Sequence, residues 1–306
     1  MSVTDPAGNA LAPLDRAPTW LNSGPLTADA LRGRVVAVDF WTYSCVNWLR
    51  TLPYVRAWSE SYAGDGLVVV GVHAPEFGFE HDLDNVRRAV ADLGVAYPVV
   101  IDNDFAIWRA FENRYWPALY LIDHGGRVRF RHFGEEAYGE TERAIQEQLG
   151  VERDLVRVDA VGRSAAAAWD TLRSPETYLG HARGERRSGL RARELSLNQW
   201  SLSGPWSVGE ESAMLDGAGG SLAFCFEGRD LNLVLAPASG AVRFAVLLDG
   251  QPPGEDRGLD VDESGAGAVS EPRLYQLVRQ QGRVRQRTVE ITFLDPGVRA
   301  YVFTFG

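Results

Sequence analysis

The sequence predicts two architectures in series: a mixed α/β sheet flanked by helices, then an all-β sandwich. Three observations carry this. Residues 35–40 and 67–72 are short runs of apolar β-formers, each followed by helical periodicity. An alternating segment over 115–123, opened by Pro117, passes through His124-Gly125-Gly126 into a second segment over 128–133 and reads as a hairpin. From Asn198 onward the helical period is lost, and seven or more short strands recur between Gly, Pro and Asp turns.

Residues 1–19 are polar and rich in Pro, Ala and Asp, and read as a loose lead-in. The α/β domain is expected over 20–150. A short helical pattern starts at Thr27 and stops at Gly33. The strand at 35–40 runs into Cys45, after which Val46, Leu49 and Leu52 share one side of a helix. That helix continues past Pro53, with a kink, to about Tyr62. Helices are also expected over 84–93, 105–111 and 140–149, with a strand over 97–101. Parallel strands joined by crossovers and finished by an antiparallel hairpin give a three-layer sheet. Residues 151–195, with a cluster at Arg183, Arg186, Arg187, Arg191 and Arg193, read as a linker packed on the surface. The sandwich is expected over 196–306.

The chain has 306 residues, 45% hydrophobic and 24% charged, the balance of a soluble globular protein. A net charge of −10 argues against a nucleic-acid partner. All 31 basic residues are arginine, so mechanisms built on lysine are excluded. Two cysteines, Cys45 and Cys225, cannot build a disulfide framework or a Cys-rich zinc site. The five histidines lack metal-ligand spacing apart from His73 and His81, which share a loop, so no metal and no cofactor are expected. No apolar run reaches the length of a membrane span. No secretory signal is evident, which makes the cytoplasm the default compartment. Homo-oligomerisation is left open.

Cys45 stands where a buried strand ends and a helix begins, with Ser44 as a cap. Free N–H groups and the dipole of a helix start favour negative charge. Thiols in such places have pKa values of roughly 3.5–7.5, against about 8.5 for a free thiol, and the thiolate is the nucleophile. The bland alternative is a small core cysteine.

The strings DFWTYSCVNW, GVHAPEFGFE, YPVVIDND, RYWPALYLID and GEEAYGETE, spread over 33–150, carry a resemblance. The first half resembles a thioredoxin-fold protein of the TlpA/redoxin type, and more closely the C-terminal thioredoxin-like part of the DipZ family. SPETYLG, VLLDG, RLYQLVRQ and AYVFTFG extend the likeness into the second half, which in that architecture resembles a carbohydrate-binding module of jelly-roll form. The resemblance implies a thioredoxin fold and a cis bond at Trp116–Pro117, with Pro117 facing the thiol and shaping a groove for an extended disulfide substrate. It also exposes a departure. A dithiol relative reads C-x-x-C; this chain reads Cys45-Val46-Asn47-Trp48, so Trp48 holds the resolving place. Attack by a second thiol within the motif is unavailable.

Three chemistries stay open to one thiolate. The first is exchange with a protein or low-molecular-weight disulfide, resolved by an outside thiol. The second is peroxide reduction through a sulfenic acid. Thr42, three residues ahead of Cys45, resembles the hydroxyl of peroxiredoxins, but Val38 replaces their upstream proline and Arg114 is only a weak candidate for their arginine. The third is an inert fold used for binding. Around the thiol, Trp41 and Trp116 are expected as apolar walls, against the reading of plain core packing. Glu76 is a candidate proton relay or acceptor, and His73 a candidate proton acceptor near neutral pH. In the sandwich, Trp200, Trp206, Tyr275 and Tyr301 are candidates for a sugar-binding face. Cys225, between Phe224 and Phe226, reads as a buried structural thiol.

Overall fold

A computed structural model describes residues 9–306. They divide into two units, Met1–Ser164 and Ala165–Gly306.

In the first unit, six strands form one sheet: β1 (Trp20–Leu21), β2 (Val35–Trp41), β3 (Leu67–His73), β4 (Val99–Ile101), β5 (Ala118–Ile122) and β6 (Val128–Phe133). Their order is β1-β4-β3-β2-β5-β6. β2, β3 and β4 run parallel, β5 runs antiparallel to β2, and β6 pairs antiparallel with β5. All seven residues of β2 are buried, as expected of a central strand covered on both faces. Val36, Val38 and Phe40 point into one apolar core with Val70, Val72, Tyr120 and Ile122. By the strand period of two, Asp39 and Trp41 point to the opposite face.

Four helices complete the unit: α1 (Val46–Tyr62), α2 (Leu83–Asp92), α3 (Ala106–Ala110) and α4 (Tyr138–Leu149). α1 runs unbroken through Pro53. The Asp82 carboxylate caps α2, accepting the amides of Asp84 and Asn85. Asp102 does the same for α3, accepting from Ile107 N at 2.9 Å and Trp108 N at 2.7 Å. Residues 151–164 stay with this unit; the Val156 amide donates to Glu142 Oε1 at 2.8 Å.

Two expectations need correction here. The lead-in is not loose from residue 9 on. Ala10, Leu11 and Leu14 are buried in the same core as Phe40, and Ala10 N donates to Gly126 O at 2.8 Å. Three apolar side chains in a polar stretch were enough to dock it. The rest of the lead-in lies outside the described residues. The pattern from Thr27 forms consecutive turns, not a helix. It has too few residues to offset the cost of nucleating a helix, and Ala28 and Leu31 are instead held by packing.

The second unit is all-β. Its strands are β7 (Thr177–Tyr178), β8 (Arg187–Ser188), β9 (Trp200–Ser203), β10 (Trp206–Val208), β11 (Ala213–Leu215), β12 (Ser221–Glu227), β13 (Asp230–Pro237), β14 (Val242–Leu248), β15 (Ala266–Val269), β16 (Arg273–Arg279), β17 (Gln286–Phe293) and β18 (Val298–Phe305). One sheet has the order β10-β11-β18-β13-β16, with β7 paired to β18; the other reads β15-β14-β17-β12-β9-β8. Phe224 and Phe226 from one sheet meet Phe303 and Phe305 from the other in a shared core. The segment read as a surface linker is therefore divided. From Ala165 it belongs to the sandwich, giving the edge strands β7 and β8 and the core residue Leu179. Two of its arginines lie over aromatic rings, Arg183 over Tyr178 and Arg187 over Trp200. Trp200, Tyr275 and Tyr301 are buried, and the half-buried Trp206 spends its indole N–H on Ser203 O. Three of the four candidate sugar-binding aromatics thus fill the interior.

Candidate active site

β2 delivers the chain to the carboxyl edge of the sheet, where α1 begins. Cys45 is the N-cap of α1, with extended backbone at φ −75° and ψ 115°, and its carbonyl accepts the Leu49 amide at 3.0 Å. Its own amide is tied back to Thr42 O at 3.3 Å. The thiol is half-buried, and Sγ lies 3.8 Å from the carbonyl oxygen of Trp116. The Trp116–Pro117 bond is cis.

Each side of this contact is held by the strand ends around it. Trp116 Nε1 donates to Ala74 O at 3.0 Å, Ala74 N donates to Trp41 O at 3.0 Å, and the Trp116 ring packs on Trp108 at 4.3 Å. Pro117 O accepts the Gly134 amide at 2.8 Å, from the loop that follows β6.

The end of β2 and the first turns of α1 also carry a set of buried polar groups. The Trp48 ring stacks on Trp41, centroids 4.2 Å apart, and its Nε1 donates to Asp39 Oδ2 at 3.0 Å. Asp39 is fully buried, and burial pushes its carboxyl up to about 7 despite that hydrogen bond. Glu80 is buried as well. Its Oε1 accepts the Ser44 hydroxyl at 2.6 Å, and its Oε2 accepts the amides of Glu76 at 2.6 Å and Phe77 at 3.0 Å. Burial pushes this carboxyl up to about 7 too, against the Ser44 hydrogen bond. One turn into α1, Arg50 Nη1 meets Glu135 Oε1 at 2.8 Å, both side chains buried. Among the described residues, no cluster of His, Cys, Asp and Glu could hold a metal ion, and no helix is long and apolar enough to cross a membrane.

Residues 7–149 match the family profile described as Redoxin, and 174–306 match that described as Thioredoxin like C-terminal domain. The thiol-disulfide oxidoreductase YkuV of Bacillus subtilis is 35% identical over 115 residues, covering 37% of this chain and 75% of YkuV. The chain belongs to the redoxin family of thioredoxin-like proteins. Protein DipZ of Mycobacterium tuberculosis is 32% identical over 310 residues, or 94% of this chain. The alignment spans 41% of DipZ, so the chain covers less than half of that relative. A solved thioredoxin-like protein in its oxidised form is 28% identical and covers 50% of this chain and 100% of its own, with a TM-score of 0.42.

Within the redoxin unit, the expected site residues separate into two groups. Cys45, Trp116 and Pro117 come together. Trp41, Thr42 and Trp48 are fully buried and cannot touch a substrate; Trp41 and Trp48 stack on one another where β2 ends and α1 begins. Glu76 is half-buried, and its backbone amide binds the neighbouring Glu80 carboxylate. His73 is corrected: its ring is buried between Trp41 and Tyr43, and both ring nitrogens lack a hydrogen-bond partner. Burial, with the nearby His81, brings its pKa down to about 3, so the ring stays neutral near pH 7. Arg114 is exposed.

Sequence reasoning missed Asp39, Glu80 and the Arg50–Glu135 pair. The signal for Asp39 was present, as the one charge in an otherwise apolar buried strand. Arg50 carried a similar signal, lying between Leu49 and Leu52 on a helix. Glu80 had none, because a loop glutamate is ordinarily solvated.

Proposed function

We propose that the redoxin unit is a thiol–disulfide oxidoreductase that works through Cys45 alone. The observation that carries this reading is the half-buried Cys45 at the head of α1, its sulfur 3.8 Å from the Trp116 carbonyl, with the fully buried Trp48 three residues on, where a C-x-x-C motif has its second thiol. YkuV, a thiol-disulfide oxidoreductase by name, supports the reaction class.

The Cys45 thiolate attacks one sulfur of a disulfide. A new S–S bond forms between Cys45 and that sulfur, the old S–S bond breaks, and the other sulfur leaves as a thiolate. The start of α1 favours the anionic sulfur before attack. An outside thiolate then attacks the mixed disulfide at the substrate-derived sulfur and expels Cys45. The outside thiol leaves joined to that substrate sulfur, and a second outside thiolate attacks this mixed disulfide and expels the substrate thiolate; two external thiols are thus oxidised to a disulfide for each disulfide reduced, and the protein returns unchanged. Substrate backbone can pair with the chain at Trp116–Pro117 as an added extended strand. The substrates are thereby a protein or small-molecule disulfide and a free thiol.

The test is steady-state reduction of hydroxyethyl disulfide by an external monothiol. Turnover that is lost in Cys45→Ser, and whose rate rises with external thiol, supports the reading. Rapid consumption of hydrogen peroxide with no disulfide turnover would replace it with a peroxidase. Inertness to both would leave a binding module.

A further inference from the structure

The two sides of the site sit on separate elements. Cys45 heads α1, whereas Trp116–Pro117 precedes β5. The loop between β6 and α4 joins them. Its Gly134 amide holds the Pro117 carbonyl at 2.8 Å, and the next residue, Glu135, holds Arg50 of α1 at 2.8 Å. The Arg50 and Glu135 side chains are only 2% and 5% exposed. The Glu135 carbonyl is in turn 3.1 Å from His132 Nε2 on β6. The loop is also held in an unusual shape: Gly134, Glu136 and Ala137 all have positive φ, at 87°, 76° and 46°. Left-handed backbone at two non-glycine residues persists only where the surroundings dictate it.

A buried ion pair is a weak source of stability, because desolvation offsets much of the attraction, and its best-attested use is in fixing register. We propose that Arg50 and Glu135 are positioning residues that hold α1, and with it the Cys45 thiol, in register with the backbone at Trp116–Pro117. The pair thereby makes the site selective for a disulfide in an extended polypeptide, which must meet both sides at once. A small disulfide needs only the thiol. This inference rests on the exchange reading above and adds its substrate class.

The test uses the full chain. Arg50→Met combined with Glu135→Leu removes both charges without leaving either unpaired, and Arg50→Lys is the conservative comparison. Three readouts are taken: iodoacetamide alkylation of Cys45, turnover of hydroxyethyl disulfide against turnover of a disulfide-linked peptide, and hydrogen exchange at the Gly134 amide. Misplacement of reacting groups by about 1 Å can lower rates about 100-fold. The double variant is expected to lose about tenfold or more in kcat/KM for the peptide, mostly through KM, while alkylation changes by less than about twofold. Gly134 exchange is expected to rise about tenfold or more as its bond to Pro117 loosens. Arg50→Lys is expected to recover part of each loss. Unchanged Gly134 protection would overturn the proposal, as would an equal loss on both disulfides. If the wild-type chain turns over neither disulfide while Gly134 protection still depends on the pair, the exchange reading and the substrate selectivity fail and only the positioning role stands.

Discussion

The two cysteines of this chain are chemically identical and placed in opposite ways. Cys45 caps a 17-residue helix, half-buried, with its sulfur facing a backbone carbonyl across a cis-proline turn. Cys225 lies mid-strand in β12, 1% exposed, in a small cluster with Leu195 and Ala223, and accepts a hydrogen bond from Gln286 Nε2 at 3.2 Å. One has a helix start and a path to solvent; the other has packing. Residue type does not separate the two sulfurs; their places in the fold do, one at a helix start and one inside a packed strand.

The sharpest break of that comparison is substitution of each sulfur. Cys45→Ser is expected to lower disulfide turnover by about 1,000-fold or more, since no other accessible thiol can replace it. Cys225→Ser is expected to leave turnover within about twofold, at a stability cost of about 1–3 kcal/mol for a buried hydroxyl. Differential alkylation of the native chain, read by peptide mapping, checks the same ordering.

Next in size is the stacked pair where β2 ends and α1 begins. Trp48→Ala removes a fully buried ring that stacks on Trp41 and hydrogen-bonds Asp39, and is expected to cost about 3–5 kcal/mol in urea unfolding. Trp48→Cys carries a similar penalty but places a second thiol three residues beyond the first. In that variant, oxidation is expected to yield an internal disulfide and dithiol turnover. A Trp48→Cys protein that folds and oxidises yet turns over nothing would show that the groove at Pro117 is not formed.

Asp39 gives a pH signature on the Cys45 side of the comparison. Its carboxyl is held near 7 in the folded chain against 3.8 ordinarily, so the folded state binds its proton more tightly. The stability this group contributes is therefore present below about pH 4 and lost as pH rises through about 7. Asp39→Asn keeps an acceptor for Trp48 without the charge. It is expected to raise stability at pH 8 by up to about 4 kcal/mol and to flatten the profile between about pH 4 and 7. Glu80, with its carboxyl also near 7, leaves a residual slope of the same sign. The smallest effect is Cys225→Ala, about 1 kcal/mol of stability with turnover intact.

Much of this was legible in the chain, for definable reasons. Strands such as Val35–Trp41 and Val128–Phe133 announced themselves through apolar runs or alternation, and the helix after Cys45 through its change of period. The cis bond at Trp116–Pro117 came from family likeness and could not have been read from spacing. What failed was long-range. Ala10, Leu11 and Leu14 dock onto a core whose other parts are distant in sequence, and Thr177–Tyr178 becomes a strand because β18 is there to pair with it. The same limit hid the site's second layer. Glu80 next to Ser44, and Arg50 next to Glu135, are pairs that only the folded sheet brings together.

The central claim is that one sulfur begins the exchange and an outside thiol ends it. Mass spectrometry of the chain after brief exposure to a disulfide-linked peptide tests it directly. One peptide adduct is expected, mapped to Cys45, that persists until an added monothiol releases it. Spontaneous release of the peptide with formation of a Cys45–Cys225 bond, or an adduct on Cys225 alone, would contradict it.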